Sequence, residues 1–187
     1  MKSKDIAKLL LNGKIGVIPT DTIYGIVGSA LNEKTVEEIY KLRKRVKNKP
    51  LIILISSLDD LKKFDIDLTK KQKDFLKKIW PNPISVVLPC ISGKFKYLHK
   101  GTNSLAFRVP KDEKLLDLLK QTGPLVAPSA NFEGEKPTEN IEEAKQYFSD
   151  RIAFYVDGGL IKSDPSTLIE LRKDGLYKIL RQGQFKV

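Results

Sequence analysis

The run Leu51-Ile52-Ile53-Leu54-Ile55 constrains the fold more than any other stretch of the chain. Consecutive apolar, mostly β-branched residues with no polar alternation describe a strand covered on both faces. Such a strand needs helices above and below it, and the sequence supplies them. Asn32 is placed to cap a helix over 33–45 that carries Val36, Ile39, Tyr40 and Arg43 on one face. Ser57 and Thr69 are placed to cap two more, the second bearing Phe75, Leu76 and Ile79 and stopping at Trp80-Pro81. Asp112 opens a helix through Leu115, Leu116, Leu118 and Leu119, closed by Gly123-Pro124. Ser3 is placed to cap a short amphipathic helix ending at Asn12-Gly13, and a last helix covers 141–148. Strands are expected at 15–18, 84–88, 105–109, 125–127, 153–156, 167–171 and 177–180. This interleaving predicts an α/β fold, a mixed twisted open sheet with helices on its faces. No repeat, low-complexity tract or linker interrupts it, so a single domain over 1–187 is expected.

Charge and composition narrow the function. The 187 residues carry a net charge of +11, which favours polyanionic partners such as RNA or nucleotide phosphates. The lysines are spread along the chain and few sit among aromatics, unlike a single-strand stacking surface. One cysteine, Cys90, and one histidine, His99, leave no disulfide within the chain and no Cys/His zinc site. His99 lies in Tyr97-Leu98-His99-Lys100-Gly101, which has no nucleophile-elbow context. Cys90 ends an apolar run and reads as core. No segment approaches the roughly 20 apolar residues of a membrane span, and the N-terminal stretch reads as a helix rather than a signal peptide. No membrane partner and a cytoplasmic location are therefore expected.

The sequence contains no Walker A loop, no Gly-x-Gly-x-x-Gly and no kinase motif set. Any nucleotide must be held largely by side-chain cations. Four polar clusters fall at strand ends, where open α/β sheets place their sites. Pro19-Thr20-Asp21-Thr22-Ile23-Tyr24-Gly25 puts two hydroxyls and a carboxylate directly after a buried strand. A capped turn explains that cluster equally well. Arg43-Lys44-Arg45-Val46-Lys47-Asn48-Lys49-Pro50 packs five cations into seven residues, more than a helix dipole alone accounts for. Pro128-Ser129-Ala130-Asn131 follows the strand at 125–127. Asp157-Gly158-Gly159, Pro165-Ser166-Thr167 and Arg181-Gln182-Gly183 close the set.

Taken in order, these clusters, with Trp80-Pro81-Asn82-Pro83 and Arg108-Val109-Pro110, resemble the YrdC-like threonylcarbamoyl-AMP synthases over about residues 15–183. The resemblance implies a YrdC-like fold and a nucleotidyltransferase: threonine and bicarbonate give a carbamate, which attacks the α-phosphate of ATP and releases pyrophosphate. The product, threonylcarbamoyl-AMP, feeds threonylcarbamoyladenosine formation in tRNA. By position in the motifs, Thr22, Tyr24, Arg108 and Ser166 match the threonine side, with Tyr24 expected to wall the pocket. Arg45, Lys49, Ser104, Ser129, Asn131 and Arg181 match the nucleotide side. Arg43 and Arg45 match the catalytic cations beside the phosphates. Magnesium is expected to arrive with ATP, held by phosphate oxygens and water. The implied partners are threonine, bicarbonate, ATP, downstream threonylcarbamoyl-transfer proteins and tRNA or RNA at the basic surface.

The sequence departs from that pattern in one respect. Arg43 and Val46 stand where the family usually has lysine and proline. Arg43 keeps the charge, so an Arg43→Lys change is expected to retain substantial activity. A chain ending at Val187 resembles the short, single-domain form. Two other readings compete. One is an RNA-binding module without catalysis. The other is the carbamoyl-transfer domain of hydrogenase maturation, which sits in a much larger protein.

Overall fold

The computed structural model describes residues 1–45 and 50–187. Lys47 and Lys49 of the basic turn lie outside the described residues.

In chain order the elements are α1 Ser3–Leu11, β1 Gly16–Ile18, β2 Gly25–Ser29, α2 Glu33–Leu42, β3 Ile52–Leu54, α3 Lys70–Ile79, β4 Ile84–Pro89, α4 Lys96–His99, β5 Ser104–Arg108, α5 Glu113–Thr122, β6 Leu125–Val126, α6 Ile141–Phe148, β7 Phe154–Tyr155, β8 Thr167–Leu171 and β9 Tyr177–Arg181. The strands form one nine-stranded sheet in the order β7-β1-β2-β6-β3-β5-β4-β8-β9. The sheet is mixed as expected: β3–β5 and β4–β8 run parallel, whereas β1–β2, β4–β5 and β8–β9 are antiparallel.

Alternation along the central strands feeds two cores, one on each face. Val17, Ile26, Ile53 and Val126 point to the face covered by α2, α3, α4 and α6. Their neighbours Ile18, Val27, Leu54 and Leu125 point to the face covered by α1 and α5. The expected caps at Asn32, Thr69 and Asp112 each accept a backbone N–H, and Thr69 forms a full capping box with Gln72.

Several local expectations fail for identifiable reasons. Ser3 begins α1 rather than capping it; Lys2 holds the cap position without a side-chain bond. The segment after Ser57 is a 3₁₀ helix, Leu58–Phe64. Strand β2 is hidden in the sequence because its two central apolar residues, Ile26 and Val27, are bracketed by glycines. The helix expected over 33–45 stops at Leu42. Lys44 takes a left-handed backbone (φ 51°). The amides of Lys44 and Arg45 close back onto the carbonyls of Lys41 and Tyr40. This is a Schellman stop with lysine where glycine is usual. It places Arg43 at the helix C-cap with its side chain turned inward.

Candidate functional site

Three peripheral segments meet around the end of the sheet where β5 delivers Arg108. The first is the link from β1 to β2. Thr20 Oγ1 donates to the Ile23 carbonyl at 2.7 Å and accepts from the Thr22 amide at 3.2 Å. This local turn aims Thr22, only 2% exposed, inward. Arg108, the last residue of β5, donates from Nη1 to Thr22 Oγ1 at 3.1 Å. Its Nη2 lies 3.1 Å from Asp21 Oδ1, and both side chains are buried. Asp21 Oδ2 accepts from the Lys111 amide. Burial pulls the Arg108 pKa down, and the Asp21 charge opposes that.

The second segment is the start of β8. The β4–β8 pairing brings Ser85 beside Ser166, and their hydroxyls meet at 2.8 Å with both side chains buried. Arg181, at the end of β9, donates to the Ser166 carbonyl at 2.8 Å. Gly183 makes that approach possible, since a Cβ there would sit 2.1 Å from the Pro165 carbonyl oxygen.

The third segment joins the Schellman turn to the loop after β6. The Arg43 guanidinium is 3% exposed. It donates from Nε to the Asn131 carbonyl (3.1 Å) and from Nη2 to Ser129 Oγ (3.1 Å) and Asn131 Oδ1 (3.4 Å). Burial first, then the charge of Arg45, push its pKa down to about 10. It therefore stays cationic at neutral pH, at a cost in solvation. Arg45 donates to the Pro50 carbonyl at 3.2 Å.

These segments enclose a cavity of about 180 Å³ lined by Thr20, Thr22, Arg43, Arg45, Arg108, Ser129, Ser166 and Arg181, among others. Asp21 Oδ1, Arg43 Nη1 and Arg108 Nε are buried atoms without a hydrogen-bond partner among the described residues; the Asp21–Arg108 contact is an ion pair whose alignment falls short of a hydrogen bond. Arg43 and Arg108 both line the cavity, and native proteins rarely leave such buried donors unpaired, which makes the cavity the candidate ligand site.

Seven of the residues singled out from the sequence line this cavity: Thr22, Arg43, Arg45, Arg108, Ser129, Ser166 and Arg181. Asn131 lies beneath it. Its Oδ1 takes Arg43 and its Nδ2 serves the carbonyls of Phe132 and Glu135, so its amide is spent within the loop. Tyr24 does not wall the cavity. It is fully buried, and its hydroxyl donates to the Gly159 carbonyl and accepts from the Gly158 amide. Ser104 is not brought to the cavity. It begins β5 and contacts Thr102, four strand residues or roughly 13 Å from Arg108. Lys49 is outside the described residues. Three contributors went unassigned from sequence: Thr20, Asp21 as the Arg108 counter-ion, and Ser85. The signal for Ser85 is a lone hydroxyl inside the apolar run Ile84-Ser85-Val86-Val87-Leu88.

The fold and cavity define a mixed α/β protein with an arginine-lined, hydroxyl-bearing cavity at a strand end. A model of the Sua5/YciO/YrdC family, described as "Telomere recombination", matches residues 8–183, and the chain belongs to that family. It is 33% identical over 181 residues to a putative threonylcarbamoyl-AMP synthase of Methanocaldococcus jannaschii, covering 95% of this chain and 84% of that one. It is 30% identical over 179 residues to the threonylcarbamoyl-AMP synthase of Bacillus subtilis, covering 95% of this chain but only 52% of that protein. The crystal structure of P. abyssi Sua5 complexed with L-threonine superposes with a TM-score of 0.87 at 30% identity, over 97% of this chain and 54% of that one. The chain thus spans about half the length of the B. subtilis and P. abyssi relatives.

Proposed function

We propose that this chain, as a single YrdC-like domain over 1–187, makes threonylcarbamoyl-AMP from threonine, bicarbonate and ATP. It would thereby supply a threonylcarbamoyl donor for tRNA modification. The observation that carries the reading is the convergence of the sequence motifs on one cavity with two chemically distinct ends. At the Arg108 end, the unpartnered Nε meets the threonine carboxylate, and the Ser166 hydroxyl meets the threonine hydroxyl. At the other end, Arg45, the unpartnered Nη1 of Arg43 and Ser129 meet the phosphates, where charge builds as pyrophosphate leaves, and Arg181, anchored on the Ser166 carbonyl, reaches them from the Arg108 side. The carbamate oxygen is already an anion, so attack on the α-phosphate needs no histidine nucleophile. The cavity is smaller than the roughly 300–1,000 Å³ that encloses a whole drug-sized ligand. In this reading it takes the amino acid and the reacting phosphate, and the nucleoside extends through its mouth.

Mg²⁺ enters as the partner of ATP, held by phosphate oxygens and water. Among the described residues no group of three or more His, Cys, Asp or Glu is arranged to hold a metal. No helix among the described residues is long and apolar enough to cross a membrane, and we place the reaction in the cytoplasm. The lysine-rich exterior is the side from which tRNA, or a protein that takes up the intermediate, approaches.

The test is incubation with threonine, bicarbonate and ATP, reading pyrophosphate and the mass of the nucleotide product. The proposal expects pyrophosphate only when both threonine and bicarbonate are present. Equal release without threonine would make the protein a plain nucleotidase.

A further inference from the structure

We propose that the cavity binds threonine as its neutral amine, with Thr22 Oγ1 accepting an amine N–H and no side chain serving as the base. This rests on the function proposed above and assigns the protonation state in which the substrate enters.

Hydrogen-bond polarity at the Arg108 end is fixed by counting protons. Thr20 has one hydroxyl proton and gives it to the Ile23 carbonyl. In the 3.1 Å contact between the two threonine hydroxyls, Thr22 must therefore be the donor. Thr20 Oγ1, which also accepts the Thr22 amide, is then saturated. Thr22 Oγ1 accepts from Arg108 Nη1 and keeps one lone pair. It offers a ligand an acceptor and nothing else. A carboxylate oxygen gains nothing from it, whereas an N–H does. With the threonine carboxylate on Arg108, the α-nitrogen is the group placed beside that hydroxyl.

Charge decides the protonation state. Arg43 and Arg45 from the turn after α2, Arg108 from β5 and Arg181 from β9 all line the cavity. No Asp, Glu or His lines it among the described residues, and residues 46–49 contain no acid. The carboxylates nearby are committed or set back. Asp21 faces Arg108 and the Lys111 amide. Asp157 accepts from the Gly159 amide, where the Tyr24 hydroxyl also bonds. Glu133 acts on Arg43 through space. An ammonium at Thr22 would lie beside the Arg108 guanidinium, in a cavity lined by three more guanidiniums and by no acid among the described residues, and like charge disfavours the cationic form. The proton is left with the buffer before binding. The neutral amine then attacks bicarbonate: a C–N bond forms, the C–OH bond breaks, and hydroxide leaves with one amine proton as water. The product is the N-carboxylate, a second anion suited to the same guanidiniums.

The experiment is calorimetric titration of the full chain with threonine in carbon-dioxide-depleted solution, repeated in two buffers of different ionisation enthalpy. The comparison ligand is 2,3-dihydroxybutyrate of matching stereochemistry, which has a hydroxyl in place of the amine. At pH 7.5 the proposal expects about one proton released per threonine bound, an apparent Kd that falls about tenfold per pH unit below the amine pKa of free threonine, and neither effect with the dihydroxy acid. Threonine binding without proton release, or equal release with the dihydroxy acid, overturns it. Threonine-dependent pyrophosphate formation alongside zero proton release would sink this inference alone. Absence of threonine binding would sink the proposed function with it.

Discussion

Arg43 and Arg108 are buried to the same degree, 3% exposed each, yet the chain treats them in opposite ways. Arg108 leaves a strand and is compensated by the buried Asp21 carboxylate at 3.1 Å, with the Thr22 hydroxyl as a second partner. Arg43 caps a helix and, among the described residues, its guanidinium donates to the neutral oxygens of Ser129 and Asn131. Its pKa is driven down to about 10, first by desolvation and then by Arg45. A paired buried cation is part of the scaffold and orients what lies beside it. One that lacks a direct carboxylate partner is held at a solvation cost that an incoming anion relieves. In the proposed function this distinction assigns the amino acid to the Arg108 end and phosphate to the Arg43 end.

The largest expected effect breaks the compensated end. Asp21→Asn keeps the shape and an acceptor for the Lys111 amide but leaves Arg108 buried without a counter-charge. Breaking a buried pair in this way costs about 3–5 kcal/mol, read as a fall in the urea midpoint of unfolding. A loss below about 1 kcal/mol, the level of an exposed pair, would mean that Arg108 does not depend on Asp21.

At the other end geometry and charge make opposite predictions. Charge alone suggests that Arg43→Lys keeps most activity. The structure shows a guanidinium forked over Asn131 O and Ser129 Oγ, which a single ammonium does not reproduce. The kcat/KM for ATP should fall on the order of tenfold or more. Near-normal turnover would show that only the charge matters there.

A smaller effect separates Tyr24 from the site. Tyr24→Phe removes the hydroxyl that ties Gly158 and Gly159. The expected cost is about 1 kcal/mol of stability with the threonine KM unchanged. A raised KM with unchanged stability would put the ring back in the pocket wall.

What can be read from sequence divides along the same physical line. The apolar run at β3 and the caps at Asn32, Thr69 and Asp112 announce themselves because local chemistry decides them. The class of fold follows from their order. Motif membership picks out seven residues that line one cavity, but it carries no register. It therefore cannot tell that Ser104 and Arg108 lie at opposite ends of β5. Nor can it tell that the Tyr24 hydroxyl is spent on the Gly158-Gly159 backbone. The Schellman stop escapes notice because lysine, not glycine, takes the left-handed position at Lys44. Ser85 escapes because its partner Ser166 is 81 residues away and is met only through β4–β8 pairing.

The division of the cavity into an amino-acid end and a phosphate end is tested most directly by Arg45→Ala, with the Kd values of ATP and of threonine measured separately. Arg45 lines the cavity on the proposed phosphate side with its backbone anchored to Tyr40. Loss of one charge-assisted contact is worth about 1.5–3 kcal/mol, so the ATP Kd should rise roughly 10- to 150-fold while the threonine Kd stays within about twofold. Loss of threonine affinity with ATP affinity retained would contradict that division.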